Sequence, residues 1–122
     1  MRRLFIALGI LYCVPLNAQY TGTPYPDGIP HPIPGIIEAE HFDNGGEGIS
    51  WHDTNAGQEA NEGLYRPDTD VEFEHRGGNN YSIGWSGGGE WLKYTVAVES
   101  TGYYQVTFLL ARDGSDNFVM EV

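Results

Sequence analysis

Strict alternation of apolar and polar side chains marks the C-terminal third of this chain and restricts it to β-structure. Over 90–99, Leu92, Tyr94, Val96 and Val98 fall on one face, while Trp91, Lys93 and Thr95 fall on the other. Over 103–112 the apolar face is Tyr104, Val106, Phe108 and Leu110, and over 118–122 it is Phe118, Met120 and Val122. Gly102 and the run Asp113-Gly114-Ser115-Asp116 supply turns between these segments, which predicts antiparallel neighbours. Shorter strands are expected at 36–42 and 71–74, and no window carries the apolar period of an amphipathic helix. The fold class is therefore all-β. Five strands are visible where a sandwich takes about seven or eight. A chain ending at Val122, within an apolar strand, is accordingly expected to be a domain incomplete at its C-terminus.

The N-terminal residues belong to a different category. Arg2 and Arg3 precede a short apolar run from Leu4 to Val14, and Pro15-Leu16-Asn17-Ala18 leads to a cut before Gln19. This is the pattern of a signal peptide over 1–18, too short to span a bilayer, and it predicts secretion. Removing it leaves four basic residues against 17 acidic ones, a charge of −13, and takes away Cys13, the only cysteine. A small exported domain without disulfides must rely on its core or on a metal, and the acid excess favours a hard cation such as Ca²⁺. Residues 19–35 hold five of the seven prolines and read as an extended leader or linker. The folded domain is expected over 36–122.

Charge narrows the partners. With 17 Asp+Glu against 6 Lys+Arg, the chain has no basic stripe with which to neutralise nucleic-acid phosphates or to bind an anionic membrane surface. Its 16 aromatic residues are too many for a disordered chain. No nucleophile elbow, His-Glu-x-x-His helix or phosphate-binding loop is present, and scattered carboxylates among so many acids identify no catalytic pair.

Three features remain as candidates for function. Trp91 lies opposite the apolar stripe of its strand, so it is either a flat ring displayed beside Lys93 and Thr95 or the core of a second covered face. Trp85 precedes Ser86-Gly87-Gly88-Gly89, and is either a loop anchor or an exposed platform. Glu38 and Glu40, two apart in an expected strand, project from one face, where a cation would relieve their repulsion or solvent would screen it.

In order along the chain, these residues resemble carbohydrate-binding module family 6. The similarity runs through Ile37-Glu38-Ala39-Glu40-His41-Phe42-Asp43-Asn44-Gly45-Gly46-Glu47-Gly48, Trp51-His52-Asp53-Thr54, Tyr65-Arg66 and Asp68-Thr69-Asp70-Val71-Glu72. It continues through Ile83-Gly84-Trp85, Gly89-Glu90-Trp91-Leu92-Lys93-Tyr94-Thr95-Val96 and Gly102-Tyr103-Tyr104-Gln105-Val106. The resemblance implies a galactose-binding-like β-jelly roll attached to a secreted polysaccharide-degrading enzyme. It implies two sugar sites, one at the loop edge with Trp85 as platform and one on the sheet face with Trp91, where Glu121 would hydrogen-bond the sugar. It also implies a structural calcium held by Glu38, Glu40 and a backbone carbonyl near Asn80, completed by an Asp beyond this chain. The expected function is non-catalytic binding of a polysaccharide or oligosaccharide that targets a linked glycoside hydrolase. The alternatives are the start of the hydrolase itself, with its catalytic domain beyond residue 122, and a structural adhesion domain.

Overall fold

A computed structural model describes residues 19–58, 65–110 and 119–121. The signal peptide over 1–18 and the turn at 113–116 lie outside the described residues, as do Phe118 and Val122 at the two ends of the strand expected at 118–122. The described chain is all-β: six short strands and one 3-10 turn, Ala39–His41. The strands are β1 (His31–Ile33), β2 (Trp51–His52), β3 (Phe73–Gly77), β4 (Asn80–Ile83), β5 (Trp91–Leu92) and β6 (Val96–Val98). They pair as three two-stranded sheets: β1 parallel to β6, β2 antiparallel to β5, and β3 antiparallel to β4. No helix among the described residues is long and apolar enough to cross a membrane.

The core joins these pieces. Phe42, Trp51, Val71 and Phe73 are buried, and Tyr65, Tyr81, Ile83, Leu92 and Tyr94 pack against them. Phe42 and Phe73 stack at 6.2 Å between ring centroids, and Tyr65 meets Phe73 edge-on at 5.2 Å. Such offset and edge contacts suit the ring quadrupole while removing large apolar areas from water.

The segment 90–99 follows the predicted alternation but is interrupted. Leu92 and Tyr94 face the core, whereas Trp91 and Lys93 share the other side, with the Lys93 ammonium 4.8 Å from the Trp91 ring centre. Between β5 and β6 the backbone changes partners. Lys93 N–H donates to Ser50 O at 2.9 Å, and the Lys93 carbonyl accepts from Asp43 N–H at 2.8 Å. Thr95 N–H then donates to the Asp43 carboxylate at 2.9 Å, so a side chain takes the place of a ladder carbonyl. Beyond that point Val96 and Val98 lose their cover and are exposed.

Three expectations are corrected by long-range contacts. The strand expected over 36–42 is instead a 3-10 turn between extended Glu38 and Phe42. Buried Arg66 reaches the carbonyls of Glu40, Phe42 and Asp43 from inside, occupying acceptors that a strand ladder would have used. The strand expected at 71–74 starts later, at Phe73, and forms a hairpin with β4, with Phe73 opposite Ile83 and Gly77 opposite Asn80. Gly78 takes φ +64°, as the first central residue of a II′-type hairpin turn requires.

The proline-rich leader is the third correction, because it is part of the packed structure. Thr23 and Asn44 exchange two backbone hydrogen bonds of 2.8 Å, and β1 runs beside β6. His31 N–H donates to Thr95 O, and Ile33 O accepts from Glu99 N–H. In a parallel pair the intervening residue turns its N–H away, so Pro32 sits in this edge strand without losing a bond.

Over 103–110 the chain forms no strand, and every residue is exposed. The strand expected over 103–112 is therefore not formed in its described part. Tyr104 and Phe108 are about half screened, while Tyr103 and Leu109 are fully exposed.

Candidate functional site

The two tryptophans singled out from sequence bound one loop at its two ends. Trp85 follows β4 with φ +50°, a left-handed conformation unusual for a bulky residue, and is 59% exposed. The loop is tied down by Glu90. Its carboxylate accepts from Gly87 N–H at 2.6 Å, Thr54 Oγ1 at 2.7 Å and Thr54 N–H at 3.3 Å. At the other root, Gly84 N–H donates to Glu72 O at 3.1 Å. A Gly-rich segment that sequence suggests to be pliable is thus anchored from both sides.

Trp91 lies in β5 opposite His52 of β2, with ring centroids 6.2 Å apart. It is half-buried. Lys93 Nζ sits over its ring and 5.2 Å from that of Tyr20, a cation shared between two aromatic faces. The His52 ring in turn bonds Glu47 through Nδ1, and Asp53 N–H donates to Glu47 Oε2 at 3.2 Å. Trp91 is therefore flanked by Lys93 and His52, groups able to bond hydroxyls, with Glu47 engaged behind the His52 ring. Trp85 and Trp91 make no ring contact with each other.

Two further aromatics of the resemblance, Trp51 and Tyr65, are structural. Trp51 is buried opposite Leu92, and Tyr65 stacks on Tyr81 at 4.2 Å. Glu121 is exposed, and no hydrogen bond or ion pair among the described residues joins it to Trp91 or Trp85.

Carboxylates around the loop differ in their ionisation. Burial raises Glu90, but hydrogen bonds from the Thr54 hydroxyl and from the backbone of Gly87 and Thr54 outweigh it and hold the group below its ordinary value. The His52 hydrogen bond lowers Glu47. Glu72 moves the other way. Burial first, then the negative charge of Asp53, pushes its carboxyl up to about 7. None of these groups was singled out from sequence, since an acid after a glycine run or before a strand carries no local signature of its partners. Burial likewise raises the Tyr94 phenol, whose hydroxyl donates to Ala39 O at 2.7 Å.

The expected calcium ligands are brought partly together. β4, which Asn80 opens, packs against the 3-10 turn that carries Glu40. Glu38 is exposed and Glu40 is buried, so the turn separates two carboxylates that a strand would have aligned. Among the described residues no group of three or more His, Cys, Asp or Glu is arranged to hold a metal ion. Calcium takes six to eight oxygens, and Glu38, Glu40 and a carbonyl near Asn80 supply only part of such a shell. No protein-family model matches the chain, and no curated protein matches it.

Proposed function

We propose that the chain binds carbohydrate without transforming it, through Trp85 and Trp91, and serves to hold a linked, secreted polysaccharide-degrading enzyme near its substrate. The observation that carries this is Trp85: a large indole 59% exposed, in a left-handed turn whose loop is fixed by Glu90 and by Gly84. An aromatic used for packing would be covered, and an adventitious exposed one would not be expected on an anchored turn. A flat ring so displayed stacks on the apolar face of a pyranose, and nearby polar groups bond its hydroxyls. Lys93 and His52 provide such groups beside Trp91. Tethering would raise the local concentration of the linked enzyme on the glycan.

A jelly-roll sandwich is the architecture that the proposal implies for the complete domain, and the N-terminal signal the route of export.

Affinity electrophoresis on a polysaccharide panel tests the proposal. Trp85→Ala and Trp91→Ala are expected to weaken retention on the order of tenfold each, about 1.4 kcal/mol. Unchanged retention of both well-folded variants, or no retention of the wild type on any glycan, would refute it. The calcium part has its own measurement: if Glu38 and Glu40 hold the ion, adding a chelator lowers the melting temperature by several degrees. Identical melting with and without chelator removes calcium from the account.

A further inference from the structure

We propose that the Trp91 site takes a sugar bearing an anionic substituent, a uronate or a sulfate ester, and that Lys93 selects for that charge. This rests on Trp91 being a sugar platform and adds which sugars it accepts. Three Lys or Arg side chains lie among the described residues, and two of them are already engaged. Arg66 is buried on backbone carbonyls, and Arg76 pairs with Glu74 at 2.8 Å. Lys93 is exposed and pairs with no carboxylate among the described residues, in a chain with 17 Asp+Glu.

Aromatic rings hold this ammonium in place without neutralising it. Lys93 Nζ lies 4.8 Å from the Trp91 ring centre and 5.2 Å from that of Tyr20. Tyr20 is fixed in turn, because its hydroxyl donates to Asp43 at 2.8 Å. The Asp43 carboxylate is fully buried and faces Tyr20 and Thr95, and Glu47 is engaged by His52 on the other side of Trp91. The ammonium therefore separates sugars of one shape by their charge. A neutral pyranose stacking where it sits displaces it and loses the cation–π contact. A pyranose carrying a carboxylate or sulfate keeps the ammonium beside the ring and gains a charge-assisted hydrogen bond. One ammonium holds one anionic group, so a densely charged polymer is still opposed by the net charge of −11. At physiological salt, charges beyond about 8 Å are screened, which leaves the local contact to decide.

The test is an NMR titration of the full chain, reading the Trp91 indole N–H and the Lys93 side-chain carbons. The probes are a methyl glucoside, the matching glucuronide, glucose 6-sulfate and their galacto counterparts, with sodium acetate and sodium sulfate as ion controls. Both signals are expected to respond to the uronide and the sulfate ester at about threefold lower concentration than to the neutral sugar. Salt near about 0.5 M should shrink that preference. Lys93→Gln is expected to abolish it and Lys93→Arg to keep it. A response to only one of the two anionic sugars supports the proposal and identifies the group. Equal affinity for neutral and anionic sugars, or a preference that survives Lys93→Gln, overturns the charge selection while leaving carbohydrate binding in place. Acetate or sulfate ion acting as strongly as the sugars also overturns it, reducing the site to an anion contact. No response of either tryptophan to any sugar overturns the carbohydrate reading as well.

Discussion

Asp43 is a fully buried carboxylate that is nevertheless well satisfied. Tyr20 Oη donates to it at 2.8 Å, and Thr95 contributes both its N–H and its hydroxyl. One side chain thereby ties the leader, the 42–44 segment and the β5–β6 junction. The Asp43 hydrogen bond, after burial, raises the Tyr20 phenol. Arg66 is the cationic counterpart. It is buried at φ +51°, with its guanidinium between the rings of Tyr25 and Phe42 at 4.1 and 3.8 Å, its two terminal nitrogens donating to backbone carbonyls and Asn44, and its Nε buried without a partner among the described residues. Burial lowers its pKa, opposed by Asp68 and the nearby tyrosines. Truncating Asp43→Ala leaves three donors without their acceptor, and a loss on the order of 3 kcal/mol is expected. Urea unfolding would show this as a lower midpoint at unchanged slope. A loss under about 0.5 kcal/mol would mean that water replaces the carboxylate.

At the scale of elements, the β3–β4 hairpin is the longest ladder, and its turn depends on glycine. A Cβ at Gly78 would meet nothing within 4 Å, so the constraint there is conformational and not steric crowding. Gly78→Ala at φ +64° is expected to cost about 1 kcal/mol. Thermal unfolding of the variant checks it, and Gly78→Asn, better suited to a left-handed backbone, should recover part of the loss. The hairpin also illustrates what was legible. Gly77-Gly78-Asn79 is a turn signal in the chain itself, flanked by Phe73, His75, Tyr81 and Ile83 at alternating positions. The expected strand at 71–74 stopped short of that signal, whereas the bulge between His75 and Gly77 is visible only in the pairing.

For the whole molecule, opposing ionisations set the response to pH. Glu47 and Glu90 are held below the ordinary carboxylate value, so their contribution to stability is present above it and is lost as pH falls. Glu72 is raised to about 7, so the folded state binds more protons than the unfolded one between roughly 4.5 and 7. Its contribution is therefore present in acid and is lost as pH rises through that window. Melting temperature is expected to peak in mildly acidic solution, near pH 5, and to fall on either side. Melts across pH 3 to 9 check this. In Glu72→Gln the alkaline limb should flatten, and added salt should change the limb less than general repulsion from a net charge of −11 would demand. A limb that salt abolishes and Glu72→Gln preserves would assign it to net charge.

The sequence by itself determined the class and the inward and outward faces around Trp91. Alternation is a local property, and the pleat converts it directly into sides: Leu92 and Tyr94 pack inward, while Trp91 and Lys93 share the opposite face. It also picked out Trp85 as either anchor or platform, and the structure displays it. Tertiary structure decided where strands begin and end, and what lies beside the two indoles. Those outcomes rest on partners far apart in the chain. Asp43 and Thr95 are 52 residues apart, Arg66 and Glu40 are 26 apart, and Thr54 and Glu90 are 36 apart. No periodicity encodes such pairings, because a buried donor or acceptor is satisfied by whichever group the fold brings within reach. The leader joined the sheet for the same reason, through backbone bonds to Asn44 and Thr95 that its proline content neither announced nor prevented.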